Sequence, residues 1–191
     1  NIVSLRGTYE QIDVRDLTRV AEAITKTDRV VFFGSGGSGY LARDEALRFS
    51  HLELAAEAYS EEFPMLLQAS RMRRGQVAFG FSNSGRSRAT VGVLEEARSN
   101  KALTVGIANY RNTPLEKASE IFFCTSFPKR GGITAALTAR IAASCVMDAI
   151  YVLVAHHGRI TTKKIDYLDR ILEERLRMPP KRTKRPPAGR R

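Results

Sequence analysis

Two cysteines, three histidines and no long apolar run set the first limits on what this chain of 191 residues can be. Cys124 and Cys145 are too few and too isolated for a disulfide framework or a metal knuckle. Each lies in an apolar run, so both read as small core residues in a reducing compartment. No charged-then-apolar segment near the start suggests secretion. The most apolar window, Ile141 to Ala155, is broken by Asp148 and falls short of the ~20 residues that span a bilayer. No solenoid-type repeat occurs. A cytoplasmic chain without metal, cofactor or membrane contact is the expectation.

What is present is enough for one sizeable domain and short for two. The net charge is +11, and six of the basic residues fall in the last eleven positions, which hold no acid. Without those six the body carries 25 basic against 20 acidic residues, a balance of +5. Basicity is thus concentrated in the tail. That tail, "MPPKRTKRPPAGRR", has four prolines and no apolar period, so residues 178–191 read as disordered and residues 1–177 as the domain. It could add non-specific, salt-sensitive attraction to phosphates. The cluster Arg71-Met72-Arg73-Arg74 reads as a solvated turn, and no aromatic interleaving or recognition-helix pattern supports base reading by this chain.

Short apolar runs alternate with helical patterns. Strands are expected at Val30–Phe33, Leu54–Ala58, Val77–Phe81, Leu103–Ala108 and Ile121–Cys124, continuously apolar as parallel strands covered on both faces are. Helices are expected at Ser38–Phe49, Glu61–Ser70, Ser87–Ser99 and Pro114–Ala118. Before the first strand, Asp13 caps a helix with Leu17, Val20, Ala21 and Ile24 on one face. After the last comes a long helix, Ile133–His156, whose Arg140, Ser144 and Asp148 form a stripe facing solvent or another subunit. A final helix spans Thr162–Met178. This order predicts an α/β fold, a three-layer doubly wound sandwich around a five-stranded parallel sheet. Such sheets bind ligands at the carboxyl ends of strands where strand order reverses. The loops after strands one and three are therefore the candidates.

The first loop, "GSGGSG" from Gly34 to Gly39, matches G-x-G-x-x-G, the dinucleotide fingerprint. Its glycines allow a tight turn, the following helix points its positive end into it, and Ser35 and Ser38 add hydroxyls. Phosphate binding and plain close packing both account for it. The second loop presents Ser82, Asn83, Ser84, Gly85, Arg86 and Ser87 at the end of strand three, again before a helix. Ser87 can cap that helix, but turn chemistry does not explain so many polar groups at one strand end. A dinucleotide would want an acid after strand two, for which Glu57, Glu61 and Glu62 are available. It would give no reason for the second polar loop. Two such loops at one edge suit a small phosphorylated molecule better.

These residues resemble the SIS (sugar isomerase) family of phosphosugar-binding domains. "FFGSGGSGYLA" is similar to its first-strand motif and "FSNSGRSRATV" to its S-x-S-G-x-[ST] phosphate loop. "TVGIANYRNTPLEKASEIFFCT" is similar to its segment from strand four to strand five. The resemblance implies a flavodoxin-like fold and a phosphosugar site formed by Ser35, Gly36, Ser38, Ser82, Asn83, Ser84, Gly85 and Ser87. Ser87 stands where threonine is commoner and keeps the hydroxyl.

Two classes within the family compete: phosphosugar isomerases, and RpiR-type transcription regulators in which the domain senses a sugar phosphate. "SLRGTYEQIDVRDLTRVAEAITKTDRVVFFG" and "LTARIAASCVMDAIYVLVA" are similar to the regulators' segments before and after the sheet. That resemblance implies a homodimer or higher homo-oligomer, with DNA bound by a domain outside this chain. Isomerisation needs a base within reach of the carbon acid's proton. "TSFPKRGGITAA", Thr125 to Ala136, holds neither carboxylate nor histidine where the family's enzymes usually carry a catalytic carboxylate. Glu61 and Glu62 remain conceivable bases. His51 follows a helix, and His156 and His157 sit at the end of the long one, where capping accounts for a basic residue. Any of the three could reach a neighbour's site in an oligomer. No catalytic residue is assigned, and binding is the expected activity.

Overall fold

Continuous apolar runs and apolar patterns with a period of 3.6 residues alternate along the chain, and the elements follow them. The structure, a computed structural model, describes residues 2–52, 54–125 and 133–159, with Tyr167, Arg170 and Ile171 beyond them. In chain order the elements are α1 (Ile2–Tyr9), α2 (Val14–Lys26), β1 (Arg29–Gly34), α3 (Gly37–Ser50), β2 (Ala55–Tyr59) and α4 (Glu62–Ser70). There follow β3 (Val77–Phe81), α5 (Arg88–Ser99), β4 (Leu103–Ala108), α6 (Pro114–Ala118), β5 (Ile121–Cys124) and α7 (Ile133–Val154). A π-helical segment, Ala155–Arg159, continues α7. The chain divides into two units, Asn1–Arg159 and Ile160–Arg191. In the second, the Arg170 guanidinium lies 5.5 Å from the Tyr167 ring centre. The expected helix Thr162–Met178 otherwise falls outside the described residues, as does the whole basic tail.

The five strands form one sheet of order β2-β1-β3-β4-β5, and every pairing is parallel. This is the α/β arrangement expected. The chain runs from β1 outward to β2, then crosses back to place β3 on β1's other side. Strand order therefore reverses between β1 and β3, whose last residues, Gly34 and Phe81, are paired.

The period-two alternation explains the two packed faces. Val31, Phe33 and Ala78 point into a cluster with Met65 and Ala69 of α4 and Val93, Leu94 and Ala97 of α5. Phe32 points the other way, 5.1 Å from the Phe79 ring and 5.4 Å from that of Phe49 on α3. Phe49 in turn meets Tyr151 of α7 edge-on at 5.4 Å. Each such buried side chain contributes about 1.5–3 kcal/mol relative to exposure. The edge strand β2 is only partly covered, and its Glu57 is held by Arg29 (2.8 Å) and the Tyr59 hydroxyl (2.6 Å). Those bonds, Arg29's first, hold the Glu57 carboxyl below its ordinary value.

One helix has no counterpart in the expected elements, and two expectations need correction. Helix α1 precedes the Asp13-capped helix; its apolar pattern is weak, and Ile2, Val3 and Tyr9 are exposed. The α-helical part of the long helix stops at Val154, and His156 and His157 lie in the π segment. Cys124 is buried, but Cys145 is exposed, because it shares a face of α7 with Ile141, Asp148 and Val152. Among the described residues no helix is long and apolar enough to cross a membrane.

Candidate functional site

The reversal between β1 and β3 leaves a crevice at the carboxyl ends of the strands, and the two polar loops meet there. Ser35, Gly37 and Ser38 from the first loop line a cavity of ≈ 380 Å³ together with Ser82, Asn83, Ser84 and Ser87 from the second. Asn109 after β4, Thr125 after β5 and Arg140 of α7 complete its polar wall. Among the described residues that line it there is no carboxylate, imidazole or thiol. Nor does any group of three or more metal-binding side chains occur among the described residues.

In the first loop the glycines serve the backbone. A Cβ at Gly34 would lie 2.6 Å from the Ser38 carbonyl oxygen, so only glycine lets α3 begin this close to β1. Gly36 has φ 57° and occupies the N-cap of α3, where no side chain accepts a hydrogen bond from the first turn. The helix thus opens onto the cavity with its positive end uncapped by any side chain.

The second loop is internally bonded. Ser87 is the N-cap of α5, its Oγ accepting from the Thr90 amide at 3.4 Å and from the Thr90 hydroxyl at 3.1 Å. The Ser87 amide donates to Ser82 Oγ at 3.5 Å, and the Arg86 amide to Ser84 Oγ at 3.2 Å. Gly85 has φ 67°, and a Cβ there would sit 2.5 Å from Thr113 Oγ1. Asn83 is held from the next strand: Asn109 donates an amide proton to Asn83 Oδ1 at 3.4 Å and accepts one from the Thr125 hydroxyl at 2.6 Å.

Of the eight sequence-derived site residues, six side chains line the cavity: Ser35, Ser38, Ser82, Asn83, Ser84 and Ser87. Gly36 and Gly85 are not among its lining residues and shape the turns instead. Sequence reasoning missed Asn109, Thr125 and Arg140. Asn109 follows β4, the neighbour of β3, and Thr125 follows β5, the next strand out, so the strand-end rule would have reached both. The helical spacing alone puts Arg140 in a stripe with Ser144 and Asp148. Instead Asp148 binds Arg48 of α3, while Arg140 lines the cavity, its guanidinium 3.6 Å from where a Gly37 Cβ would stand. Arg140 makes no ion pair among the described residues.

Glu57 is committed to Arg29, and Glu62 lines a different groove, so neither reaches the crevice. The Arg71–Arg74 cluster precedes β3 at the opposite end of the sheet, where Arg73 pairs with Asp28 at 2.7 Å. Most of the segment from Thr125 to Ala136 falls outside the described residues.

The model of the family described as "SIS domain" matches residues 23–153. An uncharacterized HTH-type transcriptional regulator of Caldanaerobacter subterraneus is 31% identical over 155 residues, 81% of this chain and 55% of the relative. The chain thus spans little more than half the length of that relative. Vibrio vulnificus NanR, solved in complex with ManNAc-6P, superposes with a TM-score of 0.81 at 20% identity, covering 91% of this chain and 66% of NanR. The sugar isomerase domain of an RpiR transcription factor from Sphaerobacter thermophilus gives 0.76 at 20% identity, over 88% and 93% of the two chains. Both structural likenesses speak for the fold.

Proposed function

Since this chain belongs to the SIS domain family, we propose that it binds a sugar phosphate as the effector-sensing domain of an RpiR-type transcription regulator. The observation that carries this reading is the convergence of six polar side chains from two loops on one cavity, beside the Arg140 guanidinium, which makes no ion pair among the described residues. A phosphate monoester is a compact, doubly charged acceptor. It would take hydrogen bonds from the serine hydroxyls and the Asn83 amide, charge pairing from Arg140, and dipole stabilisation from the open end of α3. Ser35, Ser38, Ser82, Asn83, Ser84 and Ser87 are its ligands, and Gly36 and Gly85 hold the turns that present them. The sugar would extend toward Asn109 and Thr125. Hydroxyls, amides and a guanidinium bind and orient; none is a proton acceptor suited to isomerisation near neutral pH.

The Caldanaerobacter subterraneus relative, described as an HTH-type transcriptional regulator, supports a regulatory output. DNA is then contacted by a helix-turn-helix domain outside this chain, in the cytoplasm, and the working unit is a homo-oligomer. A sugar phosphate acts by linkage, shifting the equilibrium only through unequal affinity for two arrangements of that oligomer.

A thermal-shift screen tests the reading, with hexose and pentose phosphates set against the free sugars and inorganic phosphate. Ligand at 100 times its Kd stabilises the fold by about 2.7 kcal/mol, a rise of several degrees in Tm. At least one sugar phosphate should give that shift while its free sugar does not. A flat screen, or a shift from a nicotinamide dinucleotide instead, contradicts the proposal. Conversion of an aldose phosphate to its ketose by the purified chain would move the assignment to catalysis.

A further inference from the structure

Helices α3 and α7 leave the cavity side by side and in the same direction, and they meet at two levels. At the rim, the Arg140 guanidinium of α7 lies 3.6 Å from where a Gly37 Cβ would stand, beside the open end of α3. One turn further along, Leu41 of α3 and Ala143 of α7 both line the cavity. Deeper still, the Arg48 guanidinium of α3 binds Asp148 of α7 and covers the Tyr151 ring at 5.4 Å, while Phe49 meets that ring edge-on. We propose that the Arg48–Asp148 pair positions Arg140. It fixes how far α7 stands from α3, and so how closely the Arg140 cation approaches a phosphate seated at the end of α3. This rests on the sugar-phosphate reading above and adds to it two residues that do not line the cavity.

Three features assign the pair this role. The first is that the two levels are held differently. Among the described residues no ion pair ties Arg140 to α3, so the rim has no such bond to set its own gap, whereas Asp148 makes the one ion pair of α7. The second is anchoring. Arg48 Nη1 donates to both oxygens of the buried Glu45 at 3.2 Å, which fixes the guanidinium on its own helix before it reaches α7. The third is exposure. The Arg48 and Asp148 side chains are 29% and 55% exposed, and an ion pair this open to water contributes little to stability. What such a pair does is select one spacing of two helices among several of similar energy. Asp148 stands two turns along α7 from Arg140, about 12 Å down the axis, on the same face. It reaches a ligand only through the helix that carries both.

Titration calorimetry on the full chain tests the proposal. The probes are inorganic phosphate and whichever hexose or pentose phosphate raises the wild-type melting temperature most. The variant is Asp148→Asn, because Arg48→Ala would leave the buried Glu45 without its partner and put folding at risk. Charge alone predicts tighter binding by Asp148→Asn, since a carboxylate has been removed from the neighbourhood of an anion site. Positioning predicts the reverse: affinity falls about fivefold or more, with the melting temperature unchanged. The loss should appear with both probes, because both carry the group that Arg140 pairs. Asp148→Glu, which keeps the ion pair, should restore the wild-type affinity. In an Arg140→Ala background Asp148→Asn should cost nothing further, because the pair acts through that side chain. An Asp148→Asn variant that binds as tightly as the wild type, or more tightly, overturns the proposal and leaves the sugar-phosphate reading standing. So does a full additional loss in the Arg140→Ala background. A wild type that binds no sugar phosphate overturns that reading and the proposal with it.

Discussion

Helices α3 and α5 start at the same rim of the sheet, each after a buried parallel strand, yet their first turns are built in opposite ways. The turn into α5 satisfies itself: Ser87 caps the helix, Ser82 and Ser84 accept from backbone amides, and Thr90 bonds back to Ser87. The turn into α3 is compressed by glycine and has no side-chain cap. One end spends its hydroxyls on holding a shape; the other leaves its positive end facing the cavity. A ligand with several acceptor oxygens can gain from both, by sharing the hydroxyls of α5 and supplying the missing cap of α3.

The difference can be broken most severely at Gly34. In Gly34→Ala the new Cβ falls 2.6 Å from a backbone oxygen, which cannot yield as a flexible side chain would. A loss of about 3 kcal/mol or more is expected, since overpacking commonly costs 1–3 kcal/mol and backbone must move here. Chemical denaturation measures it, and a neutral result would mean that the turn is not compressed.

A smaller effect should separate binding from stability. Ser38→Ala, on the open side, should lower sugar-phosphate affinity by about 1.5–3 kcal/mol, as for a hydrogen bond to a charged group, with the melting temperature unchanged. Ser87→Ala should lose affinity and about 1 kcal/mol of stability together, because it also removes a cap. Ser87→Thr should restore both. Calorimetric titration alongside thermal melts distinguishes the two serines.

The far end of α3 is anchored through Glu45, which is fully buried and bonded to Arg48 at 3.2 Å. Arg48 reaches on to Asp148 of α7 and over the Tyr151 ring. Burial pushes the Glu45 carboxyl up to about 7, with Arg48 opposing and Asp44 and Asp148 reinforcing the rise. The folded chain therefore holds this proton more tightly than the unfolded chain, whose carboxyl titrates near 4.5. Its contribution to stability is full below pH 4.5 and is lost as the pH rises to 7. Glu45→Gln should flatten that part of the stability–pH curve, by no more than about 3 kcal/mol. An unchanged slope would place the titration elsewhere.

The sequence showed what is local and periodic. Continuous apolar runs marked the parallel strands within a residue or two, and β3, β4 and β5 lie where they were expected. Asp13, Ser87 and Thr113 cap helices, as their side chains favour. The two polar loops were found for the same reason, being contiguous in the chain. What escaped depends on neighbours. A helical stripe says that Arg140 and Asp148 share a face, not that α3 lies against it. Cys145 is small and sits among apolar residues, but only the packing of α7 decides which of its faces is covered. The left-handed turns at Lys101 (φ 67°) and Asn112 (φ 56°) carry a weak local signal at best, since asparagine tolerates that region and lysine does so rarely.

The most direct measurement is a crystal structure of the chain grown with the sugar phosphate that stabilises it most. The account predicts phosphate oxygens within hydrogen-bonding distance of both Ser38 and the Ser82–Ser87 turn, with the Arg140 guanidinium beside them. A phosphate bound by one turn alone, or a ligand seated outside this cavity, would contradict it.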